Sequence, residues 1–99
     1  MIEHIVLLKL KSDTTALQIQ KLTDALLKMA SEIPGIEEIS AGMNNSPEGK
    51  DHGFTYGFIV RFRDATARDA YLPHLVHRQV AGEYLRPLVD DVLVFDYEY

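Results

Sequence analysis

Apolar and polar residues change their spacing several times along this chain, and each change marks an element. From Ile2 to Leu10 the positions Ile2, His4, Val6, Leu8 and Leu10 alternate with Glu3, Ile5, Leu7 and Lys9, and β-branched residues are frequent. A period of two with that composition predicts a strand. The spacing then lengthens. Leu17, Leu22, Ala25, Leu26, Met29 and Ile33 recur at helical intervals while Gln18, Lys21, Asp24 and Lys28 take the other side, with Ser12 or Asp13 available as the cap and Pro34-Gly35 as the stop.

A second strand follows from Ile36 to Met43, where Glu37, Ile39, Ala41 and Met43 form one of the two alternating sets. Residues 44–53 are rich in Asn, Ser, Pro and Gly and read as a polar loop. The strongest strand pattern comes next: Phe54, Tyr56, Phe58, Val60 and Phe62 alternate with Thr55, Gly57, Ile59, Arg61 and Arg63. Asp64 then caps a helical stretch that Pro73 divides into a short piece and a longer one reaching about Leu88. On the longer piece His77, Val80, Ala81, Tyr84 and Leu88 share a face, and the chain closes with a strand from Asp91 to Tyr97.

The resulting order is βαββαβ. Two strand-helix-strand units with right-handed crossovers predict an α+β, ferredoxin-like fold: one antiparallel four-stranded sheet with both helices on the same side. Both faces of the strands nevertheless carry apolar side chains. Each large one left in water forgoes roughly 1.5–3 kcal/mol, and several together rival the stability of a whole domain. The expected solution is a homodimer in which two sheets pack face to face as a barrel.

Composition narrows the picture further. With 99 residues the chain has room for one core, so residues 1–99 are expected to form a single domain. A net charge of -5 and no basic stripe argue against nucleic acid as a partner. No cysteine is present, which removes disulfides, thiolate zinc sites and a cysteine nucleophile. The apolar start is interrupted by Glu3, His4 and Lys9 and no apolar run approaches the ~20 residues of a membrane helix, so a cytoplasmic protein with no membrane partner is expected. No glycine-rich phosphate loop or nucleophile elbow is present, and no cofactor is expected.

Chemistry concentrates in Tyr71-Leu-Pro-His-Leu-Val-His77, where one phenol and two imidazoles fall within seven residues. A helix beginning near Pro73 can turn His74 and His77 the same way. A neutral His77 can serve as a general base, or it can be a structural histidine bonded to a backbone carbonyl. Tyr71 can donate to an enolate or carbonyl oxygen, or simply fill the core with its hydroxyl satisfied. His74, in the first turn after Pro73, reads as structural, with a substrate contact as its other role. His4, flanked by apolar residues on a strand, is either a satisfied core histidine or a ligand contact. The two helical histidines lack a matching carboxylate, so no metal site is expected.

Four segments together resemble the stress-responsive dimeric α/β-barrel (Dabb) family: Glu3 to Lys11, the third strand followed by Asp64, Tyr71-x-x-His74-x-x-His77, and Val94-Phe-Asp-Tyr97. The resemblance spans nearly the whole chain and implies the same twofold barrel. Within the family the chain is also similar to the plant-type polyketide cyclases of the olivetolic acid cyclase kind. That similarity implies a histidine base at His77, a substrate-holding tyrosine at Tyr71 and a cavity-facing His4, acting in an aldol closure. Two substrate-side positions differ from that pattern, with Tyr56 replacing a histidine and Leu26 a tyrosine, and the proline has moved to Pro73. The implied function is a small cofactor-independent enzyme acting on an apolar carbonyl compound; the alternatives are a non-catalytic ligand-binding or stress-associated dimer and an antibiotic-biosynthesis-monooxygenase-like oxygenase.

Overall fold

The computed structural model describes residues 1–99. Strand β1 spans Ile2–Leu10, helix α1 Ala16–Glu32, β2 Ile36–Met43, β3 Tyr56–Phe62, α2 Ala65–Tyr71, α3 Leu75–Val80 and β4 Val89–Glu98. The four strands form one antiparallel sheet in the order β2-β3-β1-β4, the ferredoxin-like arrangement. No helix is long and apolar enough to cross a membrane.

Side chains directly opposite one another on paired strands lie on the same face. Ile2, Val6 and Leu8 of β1 therefore join Tyr56, Phe58, Val60 and Phe62 of β3 against the helices. Leu22, Leu26, Met29 and Ile33 of the first helical segment complete the core, and Val80 and Leu88 close it from the second. Burying each large aliphatic side chain stabilises the fold by roughly 1.5–3 kcal/mol.

The element boundaries depart from the hydrophobic pattern at five places. Thr15, not Ser12 or Asp13, caps α1: its Oγ1 accepts from the Gln18 amide at 3.1 Å, and the Thr15 amide donates to Gln18 Oε1 at 2.8 Å. This reciprocal capping box satisfies two otherwise unpaired helix-end groups. Leu17 consequently falls in the first exposed turn, outside the apolar stripe. In β2 an irregularity between Ile36 and Glu38 inserts Glu37 as an extra residue, so that Ile36 and Ile39 both meet the core. β3 begins at Tyr56; Phe54 instead lies beneath the Lys9 ammonium, 5.1 Å from the ring centre. β4 starts earlier than expected, at Val89.

Pro73 separates α2 from α3 as its missing amide requires. The second piece is not one continuous α-helix: after Val80 it widens into a π-helical turn, Ala81–Leu85, and tightens into a 3-10 turn, Arg86–Leu88. Between α1 and β2, Gly35 adopts φ +89° against α2, where an added Cβ would lie 2.5 Å from that of Ala67.

Candidate functional site

Tyr71, His77 and His4 come together where the α2–α3 elbow meets the middle of the sheet. Asp64 starts α2 by accepting the Ala67 amide at 2.8 Å. Ala67 and Tyr71, one turn apart, form the buried stripe of this short helix. The phenol ring thus descends onto Phe62, at 4.9 Å between ring centres, and meets the edge of His4 at 5.8 Å. Tyr71 is 1% exposed, yet its hydroxyl has no hydrogen bond within the protomer and is not sealed from the surface. Burial pushes its ionisation well above the usual phenol range.

Chain reversal at Pro73 then sets both downstream imidazoles. His74 stands just outside α3 as its N-cap, Nδ1 accepting the Val76 amide at 3.1 Å. Its proton therefore resides on Nε2. His77 lies on the first turn and folds back so that Nδ1 donates to the Leu72 carbonyl at 2.9 Å, one of the oxygens left free where α2 ends. The two imidazoles thus have separate backbone partners. Since a carbonyl oxygen only accepts, His77 carries its proton on Nδ1, and Nε2 holds the lone pair when the ring is neutral. That nitrogen has no partner in the protomer.

The His77 ring is half-buried and sits 4.2 Å from the centre of the Tyr71 ring. Burial lowers its pKa below the ordinary 6.5; the Leu72 carbonyl opposes this, while positive charge on His4 and Arg86 reinforces it. A neutral, outward-facing Nε2 beside an unpaired phenol can accept a proton from one atom of a bound molecule while the phenol donates to another.

Two residues that the sequence reading did not single out complete the cluster. His4 lies opposite Asp96 of β4, and its Nδ1 meets Asp96 Oδ1 at 2.7 Å. Arg68 of α2 holds the other carboxylate oxygen at 3.2 Å while bonding Asp69 at 3.0 Å. A chain Arg68–Asp96–His4 therefore ties α2 to both central and edge strands beneath Tyr71. The available signal was Asp96 itself, an acid on the same alternating set as Val92 and Val94.

Tyr56 occupies a different region, and Leu26 is part of the core. Tyr56 is six positions from Phe62 along β3, about 20 Å at strand rise, and its hydroxyl pairs with Thr23 Oγ1 of α1 at 2.7 Å. Leu26 is a core residue on α1, 2% exposed. The larger cavities lie elsewhere as well: one of about 620 Å³ on the helix-free face of the sheet and one of about 340 Å³ between α1 and α3, neither lined by His4, Tyr71 or His77.

A stress-response A/B barrel domain-containing protein of Arabidopsis thaliana is 29% identical over 98 residues, which is 97% of this chain but 36% of that protein. The chain thus spans about a third of the curated relative it matches. A dimeric ferredoxin-like protein of unknown function from Jannaschia sp. superposes with TM-score 0.83 at 32% identity, covering 99% of this chain and 98% of the other. A crystal structure of an Arabidopsis thaliana protein reaches TM-score 0.92 at 25% identity over 100% of this chain and 95% of that one. A hydroxynitrile lyase from Passiflora edulis shares the fold, with TM-score 0.87 at 21% identity over 97% and 90% of the two chains. The sequence matches the Stress responsive A/B Barrel Domain description over residues 2–99, and the chain belongs to that family.

Proposed function

We propose that the chain forms a homodimeric barrel that binds an apolar carbonyl compound and moves a proton on it without a cofactor, with His77 as base and Tyr71 as hydrogen-bond donor. The observation that carries the reading is the His77–Tyr71 pair. Its rings are 4.2 Å apart, the imidazole tautomer is set by Leu72, and the remaining polar atom of each side chain is unpaired. A base needs a lone pair at neutral pH, and burial of His77 supplies one by disfavouring the imidazolium. Proton abstraction beside a carbonyl would leave an enolate, whose oxygen the Tyr71 hydroxyl is placed to meet. Arg68 and Asp96 position His4 at the floor of the site.

The dimer is supported by the uncovered face of the sheet. Ile59, Leu93, Phe95 and Tyr97 there are 36–59% exposed, and Ile5 and Leu7 lie between them by register. Polar residues bound this belt at one end, where Arg61 bonds Glu3 at 2.7 Å and Glu38 at 3.1 Å. An apolar centre with a charged rim is the usual anatomy of a protein interface. β4 is exposed on its helix-facing side too, at Val92 and Val94. The dimeric relative from Jannaschia adds support, and the hydroxynitrile lyase adds an instance of an enzyme built on this fold.

A second reading, a non-catalytic ligand-binding dimer, is favoured by two observations: the larger cavities avoid the pair, and Tyr71 is packed as a core residue would be. A thermal-shift screen against phenolic and polyketide-like carbonyl compounds, followed by turnover assays on each hit, separates the two. Catalysis predicts turnover that His77→Ala reduces by ~10²-fold or more and Tyr71→Phe by about tenfold or more. Binding that persists in both variants with no turnover of any hit would establish the second reading.

A further inference from the structure

The helix-free face of the sheet has a hollow at the end where the β2–β3 loop arrives. Its floor is the row Gly42–Gly57–Leu7–Leu93, one residue from each strand. Neither glycine has a positive φ, so the backbone does not require a missing side chain there. A Cβ on Gly42 would meet no heavy atom within 4 Å, and one on Gly57 would meet only the Leu7 side chain, at 3.0 Å, and the Val6 carbonyl, at 3.6 Å. Glycine inside a strand weakens it and marks a place where something else approaches closely. A cavity of about 620 Å³, a volume usual for small-molecule sites, stands over this row, and a smaller one of about 250 Å³ shares Leu7, Gly42 and Gly57 with it.

The loop supplies the polar wall of the larger cavity, where Lys50, Asp51 and His52 line it beside the Phe54 ring. The Asp51 carboxylate is already spent inside the loop: one oxygen accepts the Gly53 amide at 2.8 Å and the other the Asn44 side-chain amide at 3.2 Å. Lys50 enters no ion pair, so the one charge that the lining leaves unspent is its ammonium. Close by, the Lys9 ammonium lies over the Phe54 ring and its stem runs against Gly53. Asp91, opposite Lys9 in the register, turns Oδ1 to the Val92 amide at 2.9 Å. His52 holds φ +53°, a left-handed backbone that residues with a side chain seldom adopt and that gathers at ligand-binding loops. An apolar floor with a free cation and an imidazole on one wall suits a molecule with a hydrocarbon body and one anionic end.

We propose that this hollow is a second binding site, on the opposite face of the sheet from Tyr71 and His77, for an apolar carboxylic acid. The hydrocarbon part lies over the Gly42–Gly57 floor and the carboxylate meets Lys50 and His52. The site does not depend on whether His77 and Tyr71 catalyse a reaction, since it shares no residue with them.

The test is titration of the full chain with naphthoate and with its uncharged counterpart naphthamide, read by calorimetry and by backbone amide chemical shifts. Naphthoate is expected to bind about threefold more tightly than naphthamide, the size of one exposed ion pair, and to shift the Gly42 and Gly57 amides. Lys50→Gln should erase that preference while leaving naphthamide within about twofold of its wild-type affinity. Gly42→Leu fills the floor and should weaken both probes by about tenfold or more. His77→Ala, on the other face, should change neither by more than about twofold. Absence of binding at millimolar probe, equal affinity for the two probes, a preference that survives Lys50→Gln, or shifts centred on Tyr71 and His77 would each overturn the proposal. So would a wild type that binds neither probe and whose self-association changes with Gly42→Leu, which would give the hollow to a partner subunit. Far-UV circular dichroism checks folding, and Gly42→Val repeats the titration if Gly42→Leu loses its spectrum.

Discussion

At the residue scale the site is decided by which nitrogen of each imidazole the backbone claims. His74 spends Nδ1 as an acceptor on the Val76 amide, whereas His77 uses Nδ1 as a donor to the Leu72 carbonyl. These neighbours are therefore opposite tautomers when neutral. Long-range ¹H–¹⁵N spectra of the imidazoles are expected to show a proton on Nδ1 of His77 and on Nε2 of His74, with His77 titrating below 6.5. The linkage to stability has a definite sign. Because the folded-state pKa of His77 lies below the unfolded value, its neutral form is favoured above pH 6.5, and stability falls as the pH drops from there through the folded pKa. His77→Ala should lose that part of the slope in denaturation curves collected between pH 7 and pH 5; an unchanged slope would show that the ring is not held neutral.

The short helices and turns show why some elements were legible in the sequence and others were not. The alternation in β1 and β3 and the break at Pro73 are local signals, and they placed the strands and the α2–α3 elbow correctly. The bulge at Glu37 and the π-helical turn at Ala81–Leu85 arise from how segments pack, so no local pattern announced them. The same holds for Asp96. Its partnership with His4 spans 92 positions and depends on the β1–β4 register, which becomes visible only once the sheet is assembled. Leu17 misled because it stands two residues inside the real cap at Thr15, in the first turn of α1, where it is exposed.

One element boundary gives a sharp energetic prediction. At Gly35 a methyl group would meet both a left-handed φ of +89° and the Ala67 Cβ at 2.5 Å, whereas Gly49, at φ +69°, has open space around it. Gly49→Ala is expected to cost about 1–2 kcal/mol from backbone strain alone. Gly35→Ala should cost about 2–5 kcal/mol, because overpacking against α2 adds to the strain. Urea denaturation of the two variants checks the difference; equal costs would mean that α2 yields freely and does not clamp the turn.

For the whole molecule, the decisive feature is that three helices shield one side of the sheet and leave the other, together with both sides of β4, in water. The two-sided apolar pattern was readable before any coordinates, because alternation reports both faces of a strand. Which residues share a row across that face was not, since Gly42 and Gly57 are fifteen positions apart and meet only through the β2–β3 register. At the far end of the same face Arg61 holds the Glu3 carboxyl below its usual range, more than offsetting the burial that opposes ionisation. This pair contributes stability above the ordinary glutamate pKa that disappears as pH falls through the lowered one. Acid should therefore loosen the rim of the face as well as the fold, and the dimer should weaken at low pH. Light scattering coupled to size-exclusion chromatography at micromolar concentration and neutral pH is the most direct check: it should return twice the 11.2 kDa of one chain, and the mass of a single folded chain would contradict the barrel and everything built on it.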